Sequence, residues 1–332
     1  MALDPQIIAF AEESDRLFGP DYDRLPIGEQ RRLYNEWCRH FSAPFPADVD
    51  QSEIQIPGPD GSVRAKLFRP TGAPGVMPVG ALPVIVFYHG GGWILGSPET
   101  HAMATAEMAR WTGAAVLSVD YRLAPEHVFP AAFDDAYTAL SWVAQSGQSL
   151  GLDTARIAVS GDSAGGNLAA AVALAARDRK GPKIALQALI YPALKATRRA
   201  PVTQDQGGGS EAGISAYLRA YSGGNDISRV PYAMPLSAGD FRGLPPTFIA
   251  AAGIDAVLED AEDYAAALQA AGVPVSYRCA ETLPHSYLRT IYFCRPAAAE
   301  FAAVCDALAR ALGSTPTARG STTLASTTLM AG

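Results

Sequence analysis

The rhythm of hydrophobic and polar positions changes several times along the chain. Over residues 1–50 the apolar positions Ile7, Ile8, Phe10, Ala11, Leu17 and Phe18 fall at roughly helical spacing, and Leu33, Trp37 and Phe41 repeat every four residues. Such stripes predict amphipathic helices with one covered face. From Ile54 the texture alters. Residues 63–70 alternate as a strand does, and 71–80, rich in Pro and Gly, read as a loop. Short apolar runs then alternate with helical segments. Strands are predicted at 84–88, 114–122, 157–159, 184–192, 246–253 and 273–279. Helices are predicted over about 131–146, 167–178, 259–271 and 297–311. Strands that are apolar throughout are buried on both faces, so the pattern predicts the α/β class: a mostly parallel sheet covered by helices on both sides.

Residues 195–245 break this alternation. They carry QDQGGGS, then ISAYLRAY, then GGND and a Pro-rich exit, too long for an ordinary connection, and read as an inserted lid. The last twenty residues are low in complexity. The expected organisation is N-terminal cap helices at 1–50, a catalytic domain at 51–194 and 246–312, a cap insertion at 195–245 and a tail at 313–332.

Composition narrows the function. The 332 residues are 48% hydrophobic and 18% charged, enough for one large core. A net charge of −7 with no basic tract argues against a nucleic-acid surface. No apolar run reaches the roughly 18 residues of a membrane span. The first residues are acidic and lack the pattern of a signal peptide, so a cytoplasmic location is expected. Cys38, Cys279, Cys294 and Cys305 show neither disulfide-framework nor metal-ligand spacing and read as reduced thiols.

The strongest chemical signal is Gly161-Asp162-Ser163-Ala164-Gly165, a G-x-S-x-G pentapeptide between a strand and a helix. That context presents a serine hydroxyl on a sharp turn at the carboxyl edge of a sheet, where the helix N-terminus favours developing negative charge. Gly161 and Gly165 are expected to be small because side chains there would clash. The second signal is His89-Gly90-Gly91-Gly92-Trp93 after a strand. Its backbone N–H groups suit an oxyanion hole, with Gly90 and Gly91 expected as donors and Ala164 completing the set. A serine needs a base. Of the five histidines, His40, His101 and His127 read as structural and His89 as shaping the glycine loop. His285, six residues beyond the 275–279 run, is the expected base. The acid that orients it is expected to be Asp255, directly after the 247–251 run, with Glu259 and Asp260 as rivals at the start of the next helix. The order Ser, Asp, His is that of α/β-hydrolases.

Three blocks, HGGGW (89–93), DYRLAPEHVFPAAFDD (120–135) and GDSAGG (161–166), resemble the hormone-sensitive-lipase family of α/β-hydrolases, the bacterial family IV carboxylesterases. The resemblance runs from about residue 54 to about residue 311. It implies an eight-stranded, mostly parallel hydrolase sheet with a helical cap. It also implies a serine carboxylesterase acting through an acyl-enzyme on small, fairly apolar esters of short to medium chain length, with no metal or cofactor. Homodimers occur in the family, so that state is left open. Trp93, Tyr217, Tyr221 and Met234 are expected to line an apolar cleft. Two departures stand out: Asp255-Ala256-Val257 replaces the family's Asp-Pro-Leu, and His285-Ser286-Tyr287 replaces His-Gly-Phe. Cleavage of an amide, lactone or aryl formamide, or a non-catalytic binding role, are the alternatives; the presence of His285 weighs against the second.

Overall fold

In the computed structural model, residues 3–71, 80–196 and 211–315 are described. The Pro/Gly-rich segment expected as a loop, the glycine-rich start of the insertion and most of the low-complexity tail fall outside them. Two helices lead, α1 (Pro5–Phe18) and α2 (Ile27–His40), followed by a hairpin of β1 (Val49–Gly58) and β2 (Gly61–Pro70). Then come β3 (Leu82–Tyr88), α3 (Ala102–Thr112), β4 (Ala115–Asp120), α4 (Ala131–Ser146), β5 (Leu152–Asp162) and α5 (Ala164–Asp178). The chain continues through β6 (Gln187–Ile190), α6 (Glu211–Ser222), β7 (Thr247–Ile254), α7 (Leu258–Ala270), β8 (Val275–Pro284) and α8 (Arg295–Leu312). The described strands form one eight-stranded sheet in the order β1-β2-β4-β3-β5-β6-β7-β8. Only β2 runs against its neighbours; every pair from β4 to β8 is parallel.

Alternation along each strand divides the interior in two. On β3, Val84, Val86 and Tyr88 enter a core shared with Leu140 of α4 and Leu168 of α5, whereas Ile85 and Phe87 enter a second core with Met108 of α3 and Phe301 of α8. The same split recurs on β7, where Ile249 and Ala251 face the first core and Phe248 and Ala250 the second. Apolar side chains on both faces are therefore covered, the α/β arrangement that the sequence pattern predicts.

The register places the carboxyl ends of β3, β5, β6, β7 and β8 along one edge: Tyr88 lies beside Gly161, Asp162 beside Ile190, Ile190 beside Ala250 and Ile254 beside Pro284. Crevices beyond this edge are where open parallel sheets bind ligands. The N-terminal helices close on the second core. Phe10 packs edge-on against Phe41 with ring centres 4.7 Å apart, and Trp37 Nε1 donates to Ser14 Oγ at 2.8 Å. Among the described residues no helix is long and apolar enough to cross a membrane.

Two boundaries at the site differ from expectation, and two elements were not anticipated. β8 runs on to Pro284, so His285 follows the strand directly. α5 begins at Ala164 instead of 167, because packing overrides the poor helix propensity of Gly165 and Gly166. β1 was not anticipated, being largely exposed and weakly patterned, and neither was α3, whose side chains are buried nearly all round so that no polar stripe marks it.

Candidate active site

Strand β5 ends at Asp162 and α5 starts at Ala164, leaving Ser163 alone to turn the chain. Its φ of 56° lies in the left-handed region, rare for a residue with a Cβ and tolerated only where the surroundings enforce it. Ser163 N–H donates to Ile190 O at 2.9 Å, tying the turn to β6. The glycines beside it are required sterically. A Cβ on Gly161 would lie 2.5 Å from Tyr88 O, and one on Gly165 would run into the backbone carbonyls of Tyr88 and His89.

Three groups converge here. His285 Nε2 lies 2.8 Å from Ser163 Oγ, and His285 Nδ1 lies 2.7 Å from Asp255 Oδ2. A carboxylate only accepts, so Nδ1 carries the proton and Nε2 is the free base facing the hydroxyl. Asp255 is fixed in turn by Val257 N–H, which donates to its Oδ1 at 2.9 Å. The carboxylate side chain is 1% exposed and the imidazole 14%, so the pair sits in a largely water-excluded pocket. The rivals are committed elsewhere. Asp260 Oδ2 accepts from Leu194 N–H (2.7 Å) and Lys195 N–H (3.1 Å), and Glu259 pairs with Lys195 Nζ at 2.9 Å.

The family departures have local explanations. Ser286 adopts φ 63°, a conformation that glycine takes without strain and serine takes at a cost of about 1 kcal/mol or more. Tyr287 is fully buried beside Tyr191, which also packs beneath the imidazole with ring centres 4.7 Å apart. Ala256 is buried in the turn after Asp255. Nothing in the sequence marked Tyr191 beyond its place at the end of a strand.

The glycine loop corrects one expectation. Gly90 N–H donates to Asp162 Oδ1 at 2.9 Å, so it is already occupied and drops out of the donor set. The N–H groups of Gly91, Gly92 and Ala164 donate to no acceptor among the described residues. Gly91 and Gly92 take φ of 122° and 60°, and a Cβ on Gly92 would meet the ring of Tyr217 at 2.5 Å. His89 is fully buried. Its Nδ1 lies 2.9 Å from Gly90 O, and Tyr121 stacks on its ring and donates to its backbone carbonyl at 2.6 Å. Burial, with help from neighbouring His101, pushes the His89 pKa down to about 3. The block at 120–135, which carries no chemistry of its own, is thereby explained. Tyr121 holds the loop, and Arg122 makes a bidentate pair with Asp135 at 2.9–3.1 Å.

Of the expected cleft residues, Trp93 and Tyr221 are buried and stacked on each other, 4.4 Å between ring centres. Tyr217 covers Gly92 and joins Ile94, Leu95, Ala124, Ile27 and Tyr34 in a small apolar cluster where α2 and α6 meet over the loop. Met234 is wholly buried within the first core. Arg31 of α2 adds backbone contacts to Ile94 O (2.9 Å) and Ala124 O (3.0 Å).

Comparison with known proteins gives a consistent neighbourhood. A family model described as the alpha/beta hydrolase fold matches residues 85–289. The chain is 40% identical over 240 residues to esterase LipI of Mycobacterium tuberculosis, covering 71% of this chain and 74% of that one. It is 39% identical over 298 residues to the carboxylic ester hydrolase LipN of the same organism, covering 86% and 77%. A hyperthermophilic esterase from the archaeon Pyrobaculum calidifontis superposes with a TM-score of 0.83 at 31% identity, over 93% of this chain and 99% of that chain.

Proposed function

We propose, for a chain that belongs to the hormone-sensitive-lipase family of α/β-hydrolases and is a carboxylic ester hydrolase, that hydrolysis runs through an acyl-enzyme on Ser163. The observation that carries this reading is the unbroken line Ser163 Oγ, His285, Asp255, with gaps of 2.8 and 2.7 Å. In the first half-reaction His285 Nε2 takes the hydroxyl proton as Oγ attacks the ester carbonyl. The oxyanion that forms is held by the N–H groups of Gly91, Gly92 and Ala164. The tetrahedral intermediate then collapses, and His285 gives its proton to the departing alkoxide, which leaves as the alcohol. Water then attacks the acyl carbonyl as the same nitrogen takes its proton; collapse breaks the bond to Oγ, which recovers its proton from His285, and the carboxylic acid leaves. Asp255 keeps the imidazole in the reactive tautomer and offsets its positive charge in both intermediates.

The substrate is a small, fairly apolar ester of short to medium chain length. Supporting this is the ring of Tyr217, which covers Gly92 at the glycine loop, backed by the buried Trp93–Tyr221 stack. The 1–50 helices and the 195–245 insertion act as the cap, since α2 and α6 meet at the Ile94–Leu95 corner of that loop. The test is Ser163→Ala. Turnover of a p-nitrophenyl ester should fall by roughly 10⁴-fold or more with the thermal transition retained, because triad members act as a unit. Turnover near that of the parent in the folded variant removes Ser163 from the mechanism.

A further inference from the structure

Behind the serine lies a charged group that the triad does not use. Asp162 is buried, 5% exposed, directly before the serine. Its Oδ1 accepts from Gly90 N–H at 2.9 Å and lies 3.3 Å from His101 Nε2; its Oδ2 is 3.5 Å from the Tyr191 hydroxyl. A Cβ on Gly90 would lie against Asp162 Oδ2 and Asp162 O, so the loop and the carboxylate are in van der Waals contact. Arg289 completes the cluster. Its Nη2 lies 3.0 Å from His101 Nε2 and 3.4 Å from the Tyr34 hydroxyl, its guanidinium faces the rings of Tyr34 and Trp37, and its Nη1 donates to Thr100 O.

We propose that Asp162 is the positioning residue of the oxyanion loop, with His101 Nε2 as its hydrogen-bond neighbour and the nearby Arg289 guanidinium as the positive charge that lets a buried carboxylate stay charged there. This rests on the reading of Ser163 as nucleophile. The loop rides on glycines with positive φ and has little intrinsic preference for one shape. A charge-assisted bond to Gly90 N–H supplies that preference, and the next two N–H groups inherit their direction from it. Burial by itself would raise the Asp162 pKa; His101, Arg289 and the Gly90 N–H outweigh it and leave it below the ordinary value. Arg289 has a second effect. A bare carboxylate one residue from the nucleophile would oppose the forming oxyanion, and the guanidinium cancels that field. Because Arg289 follows His285 by four residues and touches α2, the same cation ties the base segment to α2 and, through His101, to the elbow.

The experiment compares Asp162→Ala with the parent enzyme on a p-nitrophenyl ester and on two inhibitors. One is a trifluoromethyl ketone, which adds the nucleophile and forms an oxyanion. The other is the matching methyl ketone, which adds weakly and so reports ground-state binding. The expected result is a fall in kcat of about 10²-fold, the size of losing one oxyanion donor, with KM little changed. Trifluoromethyl ketone affinity should drop by a similar factor, and methyl ketone affinity should hold. A folded variant with parental kcat overturns the proposal. So does a loss shared equally by both ketones, which would mean general loosening. If Asp162→Ala does not fold because Arg289 is left unpaired, Asp162→Ala/Arg289→Gln removes the acceptor and both charges together. That variant must still be slow, and parental kcat in it overturns the proposal. In the unmodified enzyme the Gly90 amide must exchange its proton slowly; rapid exchange refutes the bond directly. Fluorophosphonate labelling of Ser163 in the parent separates the two layers. Without labelling the acyl-enzyme reading fails and takes this one with it. With labelling, the Asp162 outcome stands alone.

Discussion

At the scale of single residues, the site is decided by which carboxylate is free to orient His285. Three acids lie within six residues of chain, and only their hydrogen bonds separate them. Asp255 has one oxygen on the imidazole, whereas Asp260 has an oxygen spent on the backbone N–H groups of Leu194 and Lys195, beyond β6. Asp255→Asn should therefore cost about 10⁴ in kcat, as wrong-tautomer variants of serine triads do. Asp260→Asn should cost about 1–3 kcal/mol of stability by weakening a buried acceptor and leave kcat close to parental. Measuring kcat and the urea midpoint for both variants checks this; a crippled Asp260→Asn beside a mild Asp255→Asn reverses the assignment. Ser163, Asp255 and His285 were legible in sequence because each follows a readable apolar run, and the structure brings all three within hydrogen-bond reach. Asp162 and Tyr191 were not, because their importance lies in contacts across 72 and 94 residues of chain that no local pattern records. Gly90 was misread for a related reason. A motif shows that N–H groups are present but not which one is already taken.

Elements meet most tightly where α5 crosses the end of β3. A Cβ on Gly165 would fall on the Tyr88 carbonyl, so the helix and strand are separated by the width of a glycine. In an isolated helix, replacing Gly by Ala gains about 1 kcal/mol. Here the clash is with backbone that cannot rotate away, so the steric cost exceeds that gain. Gly165→Ala should be destabilised by about 1–3 kcal/mol net, the usual penalty of overpacking, and kcat should fall because the shift moves Ser163. Denaturant unfolding alongside steady-state kinetics reads both; a variant that is more stable than the parent and fully active would show the crossing to be looser than its geometry. The same crossing explains where element boundaries were hard to read. Gly165 and Gly166 look like a loop to local propensity, yet they are the first turn of a helix because only glycine permits the approach. Strands with continuous apolar runs were readable because burial on both faces leaves a plain signature. The β1 edge strand, with one neighbour and an exposed face, leaves almost none.

For the whole molecule, the eight-stranded sheet between two cores buries ionisable groups at the centre, and that sets its response to acid. His89 is held neutral, with its pKa down to about 3, while an unfolded histidine titrates near about 6.5. Between those values only the unfolded chain takes up the proton, so stability must fall as pH drops, by up to about 1.4 kcal/mol per pH unit for this one group. His101, lowered by burial and by Arg289, acts in the same direction. Asp162 adds to it at the acid end, since its stabilisation is present above the unfolded value and is lost as pH falls below it. Urea unfolding at pH 7 and pH 5 should show marked acid weakening, and His89→Gln should show a shallower pH dependence although it is less stable at pH 7. Equal slopes in the two proteins would mean that His89 is not buried neutral. The succession of 163, 255 and 285 along the chain also has a meaning in time. A ribosome delivers the proposed nucleophile first, the proposed orienting acid some ninety residues later, and the proposed base only after an edge strand of the sheet, β8. A nascent chain halted after β7 would contain Ser163 without His285, the imidazole proposed to activate it. On the proposed mechanism, hydrolysis is thus the last property the protein acquires during its synthesis, and unfinished chains cannot cleave esters by this route.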